Sequence, residues 1–369
     1  MIRVLQIVPT LGYGGVAQFL LNYYRLMPKS DIKFDFVTHG GVEDFHAQLI
    51  EEGSTIYYVK PISQSGIITY IQTLGKIVSS GHYDIIHTHD GHMTGITSMI
   101  CRLHFRGPII AHAHTTLCPN PKHRPFMPIF RLMSRIWASK LLACGKEAGK
   151  YLFGKSAKFT VIHNAVPIER FQNIERANIE ILREKYKINA NELVIGHVGL
   201  FTTPKNHVFI IKMFSKLLEK RPNARLILVG GGNDMEKIIR LTQEKGIGSK
   251  VIFAGKQSDI PSYMNLFDVF ILPSLFEGLP VVAVEAQASG LPCLLSNKID
   301  HDVDAGLGLV SFLPIEDSNI SDWVSKLTHI ERQKVEHEEI IRAFQKQGYD
   351  IATSVDSLLK TYYITLNDA

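Results

Sequence analysis

The chain has 369 residues, of which 45% are hydrophobic and 20% charged, and carries a formal net charge of +5. One core rarely grows past about 250–300 residues, so two domains of an ordinary globular protein are expected. No apolar run nears the ~18 residues of a membrane span. The opening MIRVLQIVPTLG reads as a strand entering a glycine turn, not as a secretory leader. A cytoplasmic location is the expectation. Cys101, Cys118, Cys144 and Cys293 have no paired spacing, which implies reduced thiols and neither a disulfide framework nor a zinc motif.

Charge is unevenly spread. Residues 1–165 hold 17 Lys+Arg against 9 Asp+Glu, whereas the remainder holds 23 against 26. Within 102–158 there are eleven basic residues and a single acidic one, Glu147. Arg124, Phe126, Phe130, Arg131, Arg135, Trp137 and Lys140 mix cations with large apolar groups, as interfacial segments do. This stretch is expected to meet an anionic membrane surface or a lipid diphosphate; a basic face that only aids solubility is the bland alternative.

In chain order, VLQIVPT leads into the turn LGYGG and the helical VAQFLLNYYRLM. The strand-like runs KFDFVTH, TIYYV, YDIIHTH, PIIAHAH and KLLACG follow, spaced widely enough for helices between them. A polar, helix-prone stretch near 172–192 comes next, and then the pattern restarts with LVIGHVG, ARLILVGGG, KVIFAG, DVFILP and LPCLLS. Near-continuous apolar strands separated by helices mean parallel sheets covered on both faces. The expected fold class is α/β, with two Rossmann-like domains facing across a cleft. The expected boundaries are 1–170 and 171–344, with a final helix near 345–369 returning to the first domain. Ligands of such sheets bind beyond the carboxyl ends of the strands.

Three stretches there carry chemistry. In GYGG, Gly14 and Gly15 stand where a strand hands over to a helix, so that backbone N–H groups can approach an anion. Ala17 stands where a dinucleotide fingerprint has its third glycine, which argues against a dehydrogenase, and no Walker lysine follows. In GLFTTPKNH, Lys205 falls near a helix N-terminus, where the dipole disfavours a cation; a bound phosphate explains it better than helix stability does, the alternative being a solvated surface lysine. In LPSLFEGLPVVAVEAQASGLP, Glu277 precedes Pro280, which suits a helix start, and Glu285 follows within an apolar helix. A carboxylate on a buried helix needs a partner. Lys298 is one candidate, and Glu277 read structurally is a helix-capping carboxylate.

The paired histidines His87/His89 and His112/His114 share a sheet face by period two. Buried histidines satisfied by backbone are commoner than metal ligands, and no helical His-Glu-x-x-His zinc pair is present. Asp302-Val303-Asp304 reads as a loop in preference to a metal-binding Asp-x-Asp.

The stretch LPSLFEGLPVVAVEAQASGLPCLLS resembles the signature of family-four retaining glycosyltransferases of the GT-B fold. IGHVGLFTTPKNH, AHAHTT, VIHNAVPIERF and LQIVPTLGYGG resemble its other motifs in the same order. The closest likeness is to bacterial enzymes of capsular or extracellular polysaccharide synthesis. The resemblance implies that Glu285 accepts from the two ribose hydroxyls of a nucleotide-sugar, for which UDP is the expected nucleotide. It implies that Glu277 holds a sugar hydroxyl and that the Gly278 and Leu279 amides face sugar and phosphates. Lys205 and the Gly14–Gly15 amides would serve the diphosphate, His114 the sugar, and Asn164 would join the substrate-binding set. Catalysis would need no metal and no cofactor. The acceptor would be lipid-linked or a growing oligosaccharide, and no nucleic-acid partner is implied. An inner-membrane peripheral position would suit such an acceptor. Two departures stand out: Leu200 occupies the place of a usual Arg, and Ala165 that of a commoner Gly. Leu200 motivates an alternative, a non-catalytic GT-B subunit that modulates another transferase. A nucleotide-sugar epimerase would share the scaffold without the full motif set.

Overall fold

The computed structural model describes residues 1–12, 14–118 and 120–368. The chain divides into two compact units: Met1–Ala165 together with the chain's end from Ile351, and Val166–Asp350.

The first unit is built on a seven-stranded sheet of order β3-β2-β1-β4-β5-β6-β7. The strands are β1 (Ile2–Val8), β2 (Ile32–Thr38), β3 (Ile56–Tyr58), β4 (Ile85–Thr88), β5 (Ile109–Ala113), β6 (Lys140–Ala143) and β7 (Thr160–Val161). Every pairing is parallel. Apolar side chains leave both faces of β1, which is why helices cover the sheet twice. On one side Val4, Phe34 and Ile110 pack with Phe19 and Tyr23 of helix Gly15–Leu26 and with Leu358 and Tyr362 of helix Ile351–Asn367. On the other, Leu5, Ile7 and Ile86 pack with Tyr70 and Leu74 of helix Ile67–Ser80.

The second unit repeats the plan with six parallel strands, order β10-β9-β8-β11-β12-β13. These are β8 (Leu193–Val198), β9 (Ala224–Val229), β10 (Val251–Gly255), β11 (Val269–Leu272), β12 (Cys293–Ser296) and β13 (Val310–Leu313). Helix His207–Leu218 buries Phe209, Ile210 and Phe214 against it, joined by Trp323 of helix Ile320–Thr328. β8 and β11 are direct neighbours although a helical crossover and two strands separate them in sequence. Their outgoing loops therefore emerge side by side, and that adjacency builds the site.

Candidate active site

In the second unit, the loop after β8 passes through a 3-10 turn, Thr203–Lys205, before helix His207–Leu218 begins. Asn206 joins them in the left-handed region at φ 56°, and its amide donates to Pro273 O (3.1 Å) just beyond β11. Leu275 N donates back to Pro204 O at 2.8 Å. These two bonds fasten the loops together. Lys205 Nζ then donates to Glu277 Oε1 at 2.6 Å, and the Ser274 hydroxyl donates to the same oxygen at 2.8 Å. Both side chains of the ion pair are largely sheltered, at 18% and 17% exposed. Glu277 therefore does not cap the helix that follows: Pro280 holds the capping position of Val281–Ala288 with no side-chain cap bond.

Gly278 is half-buried and Leu279 buried ahead of that helix. Glu285 lies midway along it, 6% exposed among Val284, Ala286 and Ala288. Among the described residues no side chain hydrogen-bonds its carboxylate. Burial raises its pKa to about 7, opposed only by the charge of Arg170. Lys298 is not its partner, because its ammonium lies 3.5 Å from Glu316 at the surface. Leu200 follows β8 and is 37% exposed. In the Asp-Val-Asp stretch the Asp304 carboxylate accepts from Gly306 N (2.8 Å) and Asp302 N donates to the Asp300 carboxylate (3.0 Å), so Asp304 shapes its own loop.

In the first unit, Gly14 is extended at φ −177° and Gly15 opens helix Gly15–Leu26. A side chain at Gly15 would meet nothing within 4 Å among the described residues. Tyr13 of this motif lies outside the described residues. Sequence reasoning missed Glu43, which already engages the loop: its carboxylate accepts from Leu11 N at 2.5 Å and from the Thr10 hydroxyl. Asn164 is buried at 3% beside Ala165, whose carbonyl accepts from Asn22 at 3.1 Å.

His114 follows β5 directly and is hydrogen-bonded through Nε2 to His89 Nδ1 at 2.8 Å; its Nδ1 is covered and has no partner among the described residues. Burial drives its pKa down to about 3, so the ring is neutral. His89 Nε2 bonds Gln6 Oε1 (2.9 Å), His87 Nδ1 bonds the Tyr362 hydroxyl (2.8 Å), and His112 Nδ1 bonds His87 Nε2 (3.2 Å). Backbone partners were expected for these histidines, and the structure supplies side chains instead. Gln6 and Tyr362 lie 83 and 275 residues from the rings they hold, too far for any local pattern to reveal.

The basic stretch also differs in detail from expectation. Phe130 is 9% exposed and turned inward, its ring packed against His92 with centroids 5.5 Å apart. Besides Leu103, the outward apolar groups are Phe126, Ile129, Leu132 and Ile136, each 53–59% exposed. Spacings of three and four place the last three on one face of helix Met127–Trp137.

Two family models divide the chain. "Glycosyltransferase Family 4" matches residues 13–170 and "Glycosyl transferases group 1" matches 178–346. EpsF of Bacillus subtilis (strain 168), named as a glycosyltransferase, is 34% identical, with 98% of this chain and 97% of that protein covered. The chain belongs to the GT-B glycosyltransferases. The transferase is also 26% identical to the Escherichia coli UDP-Gal:alpha-D-GlcNAc-diphosphoundecaprenol alpha-1,3-galactosyltransferase, across 97% of this chain and 95% of that one. Anabaena HepE, solved in complex with UDP and glucose, shares the fold at TM-score 0.79 and 18% identity, covering 98% of this chain and 99% of its own. The transferase is an enzyme of nucleotide-sugar-dependent sugar transfer.

Proposed function

We propose that the transferase moves a sugar, with retention of anomeric configuration, from a UDP-sugar to a lipid-linked or growing glycan acceptor in bacterial capsule or exopolysaccharide synthesis. The observation that carries this reading is Glu285. A carboxylate held in an apolar helix without a side-chain partner is costly unless something else meets it. Two ribose hydroxyls, each donating, are the partners it lacks. The names of the relatives, with UDP-galactose as one donor and a diphosphoundecaprenol-linked acceptor, support the substrate class.

The chemistry follows from the leaving group. As the anomeric carbon gains oxocarbenium character, the diphosphate gains negative charge, and fixed donors aimed at it lower the barrier. Lys205 is held in place by Glu277 and keeps two further N–H bonds to give. The amides of Gly278 and Leu279 in the second unit, and of Gly14 and Gly15 in the first, add fixed donors without a metal. Glu277 would take a sugar hydroxyl beside its lysine. His114, kept neutral by burial, would bond the sugar without repelling the developing positive charge. Asn164 and the Leu200 turn complete the substrate-binding set. Among the described residues no second carboxylate is poised as a nucleophile, which favours same-face displacement over a glycosidase-like double displacement.

The helix Met127–Trp137, with Arg135 exposed beside Ile129, Leu132 and Ile136, would seat the enzyme on the anionic inner face of the membrane that carries such an acceptor. UDP titration of the parent and of Glu285→Gln tests the donor assignment. Weakened binding by the variant, with 2′,3′-dideoxy-UDP losing little further, is expected. Equal affinity of parent and variant for UDP would refute it.

A further inference from the structure

Two histidine clusters in the first unit bring ligand-type atoms together, and they differ in one decisive way. In the cluster of His87, His89 and His112 the rings are fully buried and committed to Tyr362, Gln6, His114 and one another. An ion there would have to break that network in a dry core with no carboxylate to balance its charge. The second cluster is His92, Cys118 and His123, whose ligand atoms all lie within 4.8 Å of one another. Here the thiol is buried while both rings remain partly exposed, so an ion can enter and keep one side open.

We propose that His92, Cys118 and His123 form a binding site for a zinc-class divalent ion, with one coordination position left open. Imidazole nitrogen with thiolate sulfur is the donor set that such ions take, and three protein ligands with an open fourth position is a familiar arrangement for them. Bond lengths of about 2.0–2.1 Å to nitrogen and about 2.3 Å to sulfur put tetrahedral ligand atoms roughly 3.3–3.6 Å apart. His92 Nε2 and His123 Nδ1 now lie 2.7 Å apart in a hydrogen bond. The rings need to part by about half an ångström and the sulfur to close by about one, both within side-chain rotation.

The ligands are carried on prepared turns. His92 sits in the 3-10 turn Gly91–Met93 after β4, and His123 in the turn Pro121–Phe126 after β5. Cys118 is fixed through its backbone: its N–H donates to the Tyr151 hydroxyl at 2.7 Å, and its carbonyl accepts from Arg124 at 3.1 Å. Asn120 caps the next turn through Lys122 N (3.0 Å). The Cys118 thiol presently donates to Asn120 O at 3.3 Å. On metal binding the S–H bond breaks, the sulfur–metal bond forms, and the proton leaves to solvent, one per ion; no oxidation state changes. Affinity therefore falls as pH drops. A bound ion would tie the loop after β4 to the loop after β5 and place a positive charge within the basic segment. Cys118 and His123 are five positions apart, but His92 lies 26 positions before Cys118, so spacing alone gave no zinc signal.

The test uses the untagged full chain, stripped with chelator and then titrated with Zn²⁺ against a chromophoric competitor, and separately with Co²⁺. One ion per chain at sub-micromolar Kd is expected, with a thiolate-to-cobalt charge-transfer band in the Co²⁺ spectrum. Cys118→Ser should abolish that band, and His123→Ala should weaken Zn²⁺ at least about tenfold, both with unchanged circular dichroism. UDP affinity should be the same with and without Zn²⁺, so the result stands apart from the donor assignment. Absence of stoichiometric binding at micromolar Zn²⁺, or a cobalt band that survives Cys118→Ser, would overturn the site.

Discussion

Glu285→Gln should make the ligand-free enzyme more stable while making it a poorer enzyme, and the size of the gain should depend on pH. The folded pKa of about 7 stands above the ordinary 4.5 because burial penalises the charged form. For an acid so raised, stability is fully present below pH 4.5 and is lost as pH climbs toward 7. The gap between 4.5 and about 7 amounts to about 3 kcal/mol at pH 8. Glutamine cannot ionise, so the variant escapes that loss. Parent and variant should melt together near pH 4.5, and at pH 8 the variant's second unit should melt up to about 6–12 °C higher. Donor binding should move oppositely. Hydroxyls that donate to a carboxylate favour its ionised form, so parent affinity for UDP should fall, by at most tenfold per unit, as pH drops below about 7. Losing the charge-assisted bonds should raise Kd in the variant by roughly 30-fold, for about 2 kcal/mol, and flatten that pH dependence. Paired melting curves and calorimetric UDP titrations at pH 5, 6, 7 and 8 decide it. A stability difference that does not change with pH would refute the reasoning even if UDP binding were lost.

Turnover should persist after exhaustive EDTA treatment, since Lys205 and backbone amides carry the leaving-group charge; loss restored only by Mg²⁺ or Mn²⁺ would contradict this. Lys205→Ala should lower kcat about 10²–10³-fold, the usual cost of removing one fixed donor, and a change below tenfold would remove Lys205 from the charge-stabilising set. Sedimentation with phosphatidylglycerol vesicles should exceed that with phosphatidylcholine, weaken in high salt, and drop on Leu132→Ser with Ile136→Ser. Equal pelleting with both lipids would leave helix Met127–Trp137 as no more than a soluble basic face.

Much of the scaffold was legible because buried parallel strands are written as local apolar runs. β1, β4, β5, β8, β9 and β11 each lie inside a run picked out from the sequence. The strands that escaped are at sheet edges. β7 has two residues, and β13 is only half-buried along its length, so neither needs a continuous apolar stretch. The elements that carry the candidate residues were legible: a motif brackets Lys205 and Glu277 between a strand end and a helix start, and an apolar helix surrounds Glu285. What stayed hidden is what these groups do to each other across sequence. Lys205 and Glu277 are 72 residues apart and share a hydrogen bond only because β8 and β11 are neighbours. The same holds for Glu43 on the glycine turn, for Tyr362 reaching His87 from the last helix, and for Arg170, the one charge acting on Glu285. Period-two spacing suggested where the histidines lie but could not name their partners.

Leu200 decides whether a missing guanidinium matters. The turn it occupies is tightly enclosed: Gly199 N donates to Val229 O and Phe201 N to Gly231 O, both at 2.9 Å. On one flank a side chain at Gly199 would meet the Lys205 stem at 3.2 Å; on the other, one at Gly231 would meet the Lys256 stem at 3.3 Å. Two lysine stems thus lie near the turn, and we propose Lys205 and Lys256 as the groups that replace the guanidinium implied by the resemblance at position 200. An uncompensated donor would cost about 10²–10³ in rate, whereas a compensated one costs little. The parent enzyme should therefore turn over, and Leu200→Arg should change kcat by less than about tenfold in either direction. Lys256→Ala should lower kcat by more than that in the parent and by less in the Leu200→Arg background, since the new guanidinium would take over the same charge. Steady-state kinetics on the four proteins of this cycle, with UDP-sugars and a diphosphate-linked acceptor, measure the coupling. Additive effects of the two substitutions would show that Lys256 does not stand in for the arginine. A parent silent toward every common UDP-sugar, in both transfer and donor hydrolysis, would instead favour the modulating subunit that Leu200 first suggested.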